Sequence, residues 1–374
     1  MIIHPPSLSQ VGTDIQVSAR IELRSPRRGV PSELWFRFRQ GTLPQISTDC
    51  DSFAVALLLL GMQNGEPIEI RGSLSRKLFL GLQEYQRIYH SWFPERFKMI
   101  EIKPDLLRED QVDAGQGDAC AFSGGVDSFY TLLSLLGRGV AAPGPKPTHA
   151  VFMAGFDMPL HLSKSIGELT LAYDEMMKTL GIELIIGSTN VRSFVNSVDW
   201  TNAHGQALVA TALLFKSEWR HFYIPSSYTL KSYPKWGSHP ELDFLLSTES
   251  LQMVHHGEHA NRVKKLEVIS KAKESFDRLR VCWIQDLGLK NCGQCEKCIR
   301  TMIALDILGA LSNYSTFREN TLSRSKVRSL KQRTYQGRLF ARELMKEASR
   351  RGKFGTCLDL GYSLLRRELF FRGF

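Results

Sequence analysis

A short glycine turn carries the sharpest chemical signal in this chain of 374 residues. Residues 120–128 read Cys-Ala-Phe-Ser-Gly-Gly-Val-Asp-Ser and lie where an apolar run meets a helical pattern. The first turn of a helix has unpaired N–H groups and a partial positive charge, which together suit phosphate oxygens. Gly124 and Gly125 would let the backbone approach an anion closely, and Ser123 and Ser128 add hydroxyl donors. The pattern predicts a phosphate-binding loop, with an ordinary strand–helix connection as the plainer alternative.

Asp127 follows the two glycines, so we expect it in the first turn of the helix. A carboxylate at that place can cap the helix or help to hold Mg²⁺. The Gly-x4-Gly-Lys-Ser/Thr pattern of kinases and GTPases does not occur in the sequence, so the turn indicates a different class of nucleotide site.

Four of the seven cysteines form a second chemical pattern, Cys282-x9-Cys292-x2-Cys295-x2-Cys298. Two adjacent Cys-x2-Cys loops, with one cysteine from a preceding strand, can supply four thiolates to one ion. Zn²⁺ prefers that tetrahedral sulfur set, and such closed sites are usually structural. An iron–sulfur cluster is an alternative, because thiolates hold those clusters too, and a catalytic thiol or metal-free cysteines are further ones.

These two motifs together resemble the PP-loop, or N-type ATP pyrophosphatase, superfamily, and within it the 7-cyano-7-deazaguanine synthases. Residues 123–128 match the superfamily signature SGGxDS, and residues 282–298 match the synthase order of one cysteine followed by CGxCxxC. The resemblance covers about residues 118–305. It implies an α/β fold with an open, parallel, five-stranded sheet, helices on both faces and ATP bound across the strand ends. It also implies cleavage of the α–β bond of ATP after a substrate attacks the α-phosphate.

The resemblance also assigns roles to residues of the turn and of the second strand. The turn residues that would hold the pyrophosphate half of ATP, with Mg²⁺, are Ser123, Gly124, Gly125, Val126, Asp127 and Ser128. Phe152 and Phe156, around the end of the second strand, would meet adenine. Asp127 and Ser128 are the catalytic candidates in the turn.

Arg262, Lys264 and Lys265 open a later helix, where cations are mildly unfavourable. One explanation is contact with phosphates during transfer, where fixed positive groups stabilise developing charge. A solvated charged face is the alternative. A lysine lies in a comparable helix of the related synthases, so the resemblance adds Lys264 and Lys265 to the catalytic candidates.

The polar and aromatic stretch 224–259 follows the predicted fourth strand, and open α/β sheets bind ligands at that edge. It predicts a pocket for the acceptor, with a long surface loop as the alternative. The candidate substrate-binding residues are His204, Ser226, Ser227, Trp236, His239, Thr248, Glu249 and Arg262. The synthases have an Arg-Asn pair ahead of the third helix, and Asn202-Ala-His204-Gly205 stands there instead. We therefore expect a small molecule or modified base that differs from the acceptor of the synthases.

The pattern of apolar residues predicts three domains. Residues 1–115 read as an accessory α+β domain, with strands such as Glu33–Arg39 and Phe97–Ile102. Residues 116–311 alternate strands and helices, which is typical of parallel βαβ units, and we expect a last strand at Leu279–Trp283. Residues 312–374 form a basic helical segment.

The net charge of +10 resides in the last part of the chain, since residues from 311 onward include 15 Lys or Arg and 5 Asp or Glu. Such a segment could bind nucleic acid, or it could be a solvated helix pair. The N-terminus lacks a secretory signal, and the longest apolar run, Phe53–Met62, is too short to span a bilayer. We expect a cytoplasmic homodimer that does not bind membranes, and the N-terminal domain is the candidate surface for a partner protein.

The sequence thus predicts an ATP-dependent adenylating enzyme. AMP would be transferred to a carboxylate or carbonyl acceptor with release of pyrophosphate, and ammonia or another nucleophile would then displace AMP. One alternative is a tRNA-modifying PP-loop enzyme whose basic segment holds RNA. Another is a catalytically silent nucleotide-binding subunit of a multiprotein complex.

Overall fold

The strand Glu33–Arg39 illustrates how the sequence builds the sheet of this protein. Its even-numbered residues Leu34, Phe36 and Phe38 are buried, and the residues between them are more exposed. Successive side chains of a strand point to opposite faces, so this alternation produces one buried face. The predicted strand is confirmed with both of its ends.

The computed structural model describes residues 1–374 except 25–28, 42, 110–114, 116, 140–143, 333 and 372–374, together with the side chains of residues 366–371. The described residues contain eleven strands: β1 (Ile2–Ile3), β2 (Ser7–Val11), β3 (Asp14–Glu22), β4 (Glu33–Arg39), β5 (Ile68–Ser75), β6 (Ile102–Arg108), β7 (Gly117–Ala121), β8 (His149–Ala154), β9 (Glu183–Thr189), β10 (Trp219–Pro225) and β11 (Gln252–His256). They also contain eleven α-helices: α1 (Asp51–Asn64), α2 (Arg76–Trp92), α3 (Val126–Leu135), α4 (Ser163–Leu180), α5 (Val191–Val195), α6 (Trp200–Leu213), α7 (Arg262–Ile269), α8 (Glu296–Ile307), α9 (Arg324–Arg328), α10 (Tyr335–Arg350) and α11 (Phe354–Phe371).

The chain divides into two units. The first comprises Met1–Phe122, Pro145–His161 and Met177–Glu258, and the second comprises Ser123–Gly144, Leu162–Met176 and His259–Phe374. All of the described strands belong to the first unit. The predicted boundary between residues 115 and 116 falls in the stretch 110–116, of which only Gly115 lies within the described residues. The three predicted domains stay predictions.

The α/β class is confirmed, but the predicted five-stranded open sheet is wrong. The strands form one mixed sheet in the order β11-β10-β7-β8-β9-β4-β3-β1-β5-β6, and β2 pairs with β3. Strands β7 to β11 are parallel to one another, as predicted for the βαβ region. The sheet does not end at β9, because β4 pairs antiparallel with it and places Phe36 opposite Thr189. The sheet therefore continues into the N-terminal strands.

The order of the parallel strands defines where a ligand of the first unit would be expected. From β7 the chain moves in one direction to β8 and β9, and it then returns to the other side of β7 to form β10 and β11. Ligands of open α/β sheets bind outside the carboxyl ends of the strands at such a switch point. Here the switch point lies between β7 and β10.

Two predicted strands are wrong for the same physical reason, which is that other groups satisfy their backbone. In the segment 97–100, Lys98 N donates to Met62 O and Ile100 N donates to the side chain of Gln86, so strand β6 begins only at Ile102. In the segment 279–283, the amides of Val281 and Cys282 both donate to Asn291 Oδ1.

A buried cluster of four charges lies where α1 begins. Lys216 Nζ lies 2.5 Å from Asp49 Oδ2 and 2.8 Å from Asp51 Oδ2. Arg108 Nη2 lies 2.8 and 2.5 Å from the same two oxygens. Burial and the neighbouring charge of Asp51 raise the pKa of Asp49 to about 7. Two carboxylates thus share two cations, and the cluster joins the ends of α1, α6 and β6.

We expect Lys216→Met to lower the free energy of unfolding by about 3–5 kcal/mol at pH 8, because it leaves two buried carboxylates with one cation. Because the pKa of Asp49 is raised in the folded state, the free energy of unfolding falls as the pH rises above the unfolded carboxyl pKa of about 3.9. The deficit should therefore shrink at pH 5, where protonation removes the repulsion. Urea denaturation at both pH values measures this. The control Lys103→Met removes an exposed ion pair with Glu101 and should cost at most about 1 kcal/mol. Equal losses in the two variants would contradict the proposed role of the cluster.

Candidate functional site

The glycine turn of the second unit links strand β7 to helix α3. Gly124 has φ +73°, a left-handed conformation, and a Cβ atom built on it would lie 1.8 Å from Tyr173 Oη. Its carbonyl accepts a hydrogen bond of 2.8 Å from the amide of Arg280. Glycine is therefore required at this position both by the backbone conformation and by the available space.

The first turn of α3 has no side-chain cap. Gly125 occupies the N-cap position, whereas Ser75 and Thr334 accept bonds at the starts of α2 and α10. Ser128 Oγ donates to Gly125 O over 3.1 Å and lies 3.4 Å from Ser123 Oγ, so the two hydroxyls of the turn meet. Uncapped first-turn amides with adjacent hydroxyls form a cradle that fits an anion.

Asp127 lies between two cations of helix α7. Lys265 Nζ is 3.0 Å from Asp127 Oδ1, and Arg262 Nη1 is 3.6 Å from Asp127 Oδ2. Burial opposes ionisation of Asp127, but Lys265 and Arg262 outweigh it and hold the pKa of this carboxyl below its usual value. The structure thus joins catalytic candidates from two distant parts of the sequence into one charged cluster.

The three cations at the start of α7 have different environments. The side chain of Lys265 is only 2 % exposed, and its ammonium lies 5.7 Å from the ring centroid of Tyr130. Arg262, predicted to bind substrate, lies beside Asp127 instead. Lys264 is exposed. Asn261 caps this helix by accepting a bond from the Lys264 amide, which fixes the first turn that carries all three residues.

Glu343 is a member of this charged region that the sequence did not reveal. It lies on α10, which packs against α7 and α8. Burial raises the pKa of Glu343, although Arg262 and Lys265 act in the opposite direction. Among the described residues, neither Glu343 Oε2 nor Arg262 Nε has a hydrogen-bond partner, and both atoms are buried. Only a fold could bring Glu343 to Arg262, because no local pattern links them.

The four predicted metal ligands come together in the second unit. The Sγ atoms of Cys282, Cys292, Cys295 and Cys298 all lie within 4.8 Å of one another. Cys282 and Cys295 are 4.0 Å apart, and Cys292 and Cys298 are 3.8 Å apart. Zn–S bonds of about 2.3 Å in a regular tetrahedron separate the sulfur atoms by about 3.8 Å. The cluster can therefore hold a metal such as zinc.

Backbone amides and one asparagine prepare this cluster for metal binding. The amides of Ile284 and Cys292 point at Cys282 Sγ, over 3.3 and 3.4 Å. The hydrogen bond between Cys295 and Cys298 lowers the pKa of Cys295 and raises that of Cys298, so the first thiolate of the metal-free cluster forms at Cys295. The buried Asn291 accepts from the amide of Cys282 and donates to Leu279 O. The hydrogen bonds of Asn291 take the place of the backbone pairing expected for the predicted strand Leu279–Trp283.

Three predicted acceptor residues of the first unit stabilise the chain itself. Glu249 accepts bonds from Ser75 Oγ and from the Lys77 amide, over 2.7 and 2.9 Å, at the start of α2. Thr248 Oγ1 is buried and accepts from the Leu251 amide. Ser226 Oγ is buried and donates to a carbonyl two residues further along. Ser227 and Trp236, by contrast, are half-buried.

The two predicted histidines pack against aromatic rings. His204 lies inside α6, with its ring centroid 5.5 Å from that of Trp236, and His239 lies 5.0 Å from Trp92 and 4.6 Å from Tyr233. Burial lowers the pKa of both imidazoles. Both rings are therefore kept neutral near pH 7.

A hydrogen-bonded row of three side chains beside His239 was missed by the sequence analysis. Asp243 Oδ2 lies 2.7 Å from His255 Nδ1, and His255 Nε2 lies 2.9 Å from Tyr233 Oη. Asp243 also accepts from Ser238 Oγ over 2.7 Å. The row fixes the loop between β10 and β11. Its histidine is visible in the sequence, but nothing there pairs it with Asp243.

The two predicted adenine contacts differ in accessibility. Phe152 is buried within β8, whereas Phe156 is half-buried with its ring centroid 5.4 Å from that of Trp200. Trp200 donates to Asp157 over 2.9 Å, and the guanidinium of Arg192 lies 4.6 Å above its ring. Of these two phenylalanines, Phe156 is the one whose ring a ligand could reach.

No protein-family model matches the chain, and no curated protein or solved structure matches it. The resemblance to the PP-loop superfamily thus stays a prediction that rests on the two motifs. Among the described residues, none of the helices combines the length and apolar character needed to cross a membrane.

We expect the purified protein to contain about one Zn²⁺ per chain and Cys295→Ser to lose it, with a lower melting temperature, because the metal stabilises the folded site. Mass spectrometry of the native protein and thermal unfolding measure the two effects. Cys357→Ser is the matched control, since Cys357 lies outside the cluster. Iron in place of zinc, with visible absorbance, would identify the iron–sulfur alternative. Equal metal content in both variants would rule out this site.

Proposed function

We propose that this protein is an ATP-dependent adenylating enzyme whose glycine turn binds the pyrophosphate part of ATP. The observation that carries the proposal is the uncapped first turn of α3, which begins at a glycine pair and has Asp127 paired with buried cations. Unpaired amides attract the phosphate oxygens, and the glycines leave room for them.

In this proposal the acceptor oxygen attacks the α-phosphorus of ATP. The bond between the α-phosphorus and the bridging oxygen breaks, and pyrophosphate leaves with the electron pair. The amides of residues 126–128 and the hydroxyl of Ser123 bind the leaving diphosphate, and Ser128 holds the turn by donating to Gly125 O. Lys265 and Arg262 stabilise the charge that develops on it. A nucleophile such as ammonia then displaces AMP from the acceptor.

In this proposal Mg²⁺ accompanies ATP and lessens the charge repulsion of its phosphates. Mg²⁺ typically takes one or two carboxylates together with phosphate oxygens. Asp127 would be the carboxylate, and its lowered pKa keeps it ionised at neutral pH. Ser227, Trp236 and His204 are half-buried residues among those predicted to bind the acceptor, and Phe156 is the half-buried residue of the two predicted to meet adenine.

We expect Lys265→Met to weaken ATP binding at least tenfold and to abolish acceptor-dependent pyrophosphate release, because it removes a buried cation beside the turn. Lys271→Met is the matched control just beyond the same helix, and because its side chain is exposed the change should leave ATP binding and pyrophosphate release unaltered. Titration calorimetry with ATP and a coupled pyrophosphate assay measure the two effects, and thermal unfolding verifies that both variants fold.

The same experiment separates the alternatives. Full affinity and full turnover in Lys265→Met would refute the proposed site. ATP binding to the wild-type protein without release of AMP or pyrophosphate, for any carboxylate or carbonyl acceptor, would favour the nucleotide-binding subunit. Turnover that depends on added tRNA would identify the RNA-modifying alternative.

A further inference from the structure

Helix α11 carries a row of large apolar side chains that face solvent. Phe354 is 66 % exposed, Leu358 71 %, Tyr362 49 % and Leu365 61 %. Their spacing of four, four and three residues places them on one side of the helix, within a sector of about 80°. We call these four side chains the α11 stripe. Single exposed apolar residues are ordinary, but a contiguous row is typical of an interaction surface.

Buried polar contacts on the opposite side of α11 hold the stripe outward. Asp359 is 2 % exposed and accepts bonds from Arg324 Nε, over 3.0 Å, and from Arg328 Nε, over 2.7 Å. Ser363, also buried, accepts from Gln332 over 2.6 Å. A rotation that buried the stripe would remove the carboxylate of Asp359 from its two cations, which is costly. The exposure of the stripe is therefore fixed by the packing of α11.

The segment that carries the stripe has an excess of exposed basic residues, and three of them, Arg324, Arg350 and Arg351, are paired with acidic side chains. Helices α9 and α10 pack against α11, and the guanidinium of Arg328 lies 5.0 Å from the ring centroid of Tyr362. Between residues 311 and 365, the described side chains include eight exposed Lys or Arg, against the single exposed acid Glu319. The exposed basic residues are Arg318, Arg324, Lys331, Arg342, Lys346, Arg350, Arg351 and Lys353.

The apolar row and the excess of exposed basic residues together indicate which kind of partner could cover the stripe. A second copy would bring its own basic residues against these, and like charges across an interface are unfavourable. Nucleic acid would use the basic residues, but its phosphates gain nothing from four apolar side chains in a row. An acidic protein segment with an apolar face satisfies both features at once. Binding of an amphipathic helix through its apolar face is a recurring mode of protein recognition.

We propose that the α11 stripe is a docking surface for an acidic, amphipathic segment of a partner protein. The apolar face of that segment covers Leu358 and its neighbours, and its Asp and Glu residues meet the basic residues of α9 and α10. The interaction does not depend on the proposed enzymatic activity, because none of these residues belongs to the glycine turn or to the charged cluster around Asp127.

The test uses the full chain and a synthetic helical peptide with Leu and Phe on one face and Glu on the other. Fluorescence anisotropy should show binding that weakens at high salt. A peptide with Lys in place of Glu, and one with Ser in place of Leu and Phe, should not bind. The double variant Leu358→Ser/Tyr362→Ser should lose at least tenfold in affinity. Leu80→Ser is the matched control, because Leu80 is 62 % exposed on α2, away from the stripe.

Several outcomes would overturn the proposal. Equal peptide affinity in the stripe variant and the control would show that the stripe does not bind it. Stripe-dependent self-association in sedimentation would identify a second copy as the occupant. Stripe-dependent binding to vesicles of phosphatidylcholine and phosphatidylserine, without peptide binding, would identify a lipid surface. Unchanged melting temperatures and unchanged ATP binding in the stripe variant keep these results separate from misfolding and from the function of the glycine turn.

Discussion

The pairing of the half-buried Asp127 with the buried Lys265 and with Arg262 is the constraint on which the second unit depends. A carboxylate that loses water must be compensated, so the first turn of α3 can exist in this form only if α7 lies beside it. That requirement fixes the start of α7, which Asn261 caps. It also explains why α10 matters to the site, because Glu343 adds a second buried carboxylate near the same two cations. In the proposed reaction, the cations that neutralise Asp127 in the free protein would also attract the phosphates.

In several irregular segments of this protein, side chains accept the backbone hydrogen bonds that a neighbouring strand or helix turn would otherwise accept. Asn291 satisfies amides next to the cysteine cluster, so an irregular segment can be held as firmly as a strand. Glu249 accepts a hydrogen bond from the Lys77 amide at the start of α2. Asp243 accepts one from the His239 amide in the loop that follows β10. Each of these polar groups is expensive to bury without its partner. The loops that they hold are therefore well defined, which is what a binding site built on loops requires.

Local patterns in the sequence predicted local structure well. The helix expected directly after the glycine pair is α3, and the spacing of the cysteines was enough to identify four side chains that meet in space. Both features depend on neighbours in the sequence, where periodicity and spacing carry the information. The pairing of β4 with β9 joins residues such as Phe36 and Thr189, and the contact of Glu249 with the start of α2 joins residues 174 positions apart. The residue pattern of one segment does not indicate which distant segment will pair with it. For the same reason Glu249 was assigned to an acceptor and Glu343 was overlooked.

The antiparallel junction between β4 and β9 has a consequence for how this protein can be divided. Three residues of β9, from Gly187 to Thr189, find their partners on β4. A fragment that began after β6 would keep the parallel strands but would leave the outer rim of β9 with unsatisfied amides and carbonyls. Such a rim readily recruits strands from other molecules, so the fragment would tend to aggregate. The hydrogen bonds between β4 and β9 therefore make the parallel strands and the N-terminal strands parts of one sheet that cannot be cut at this junction without exposing an edge.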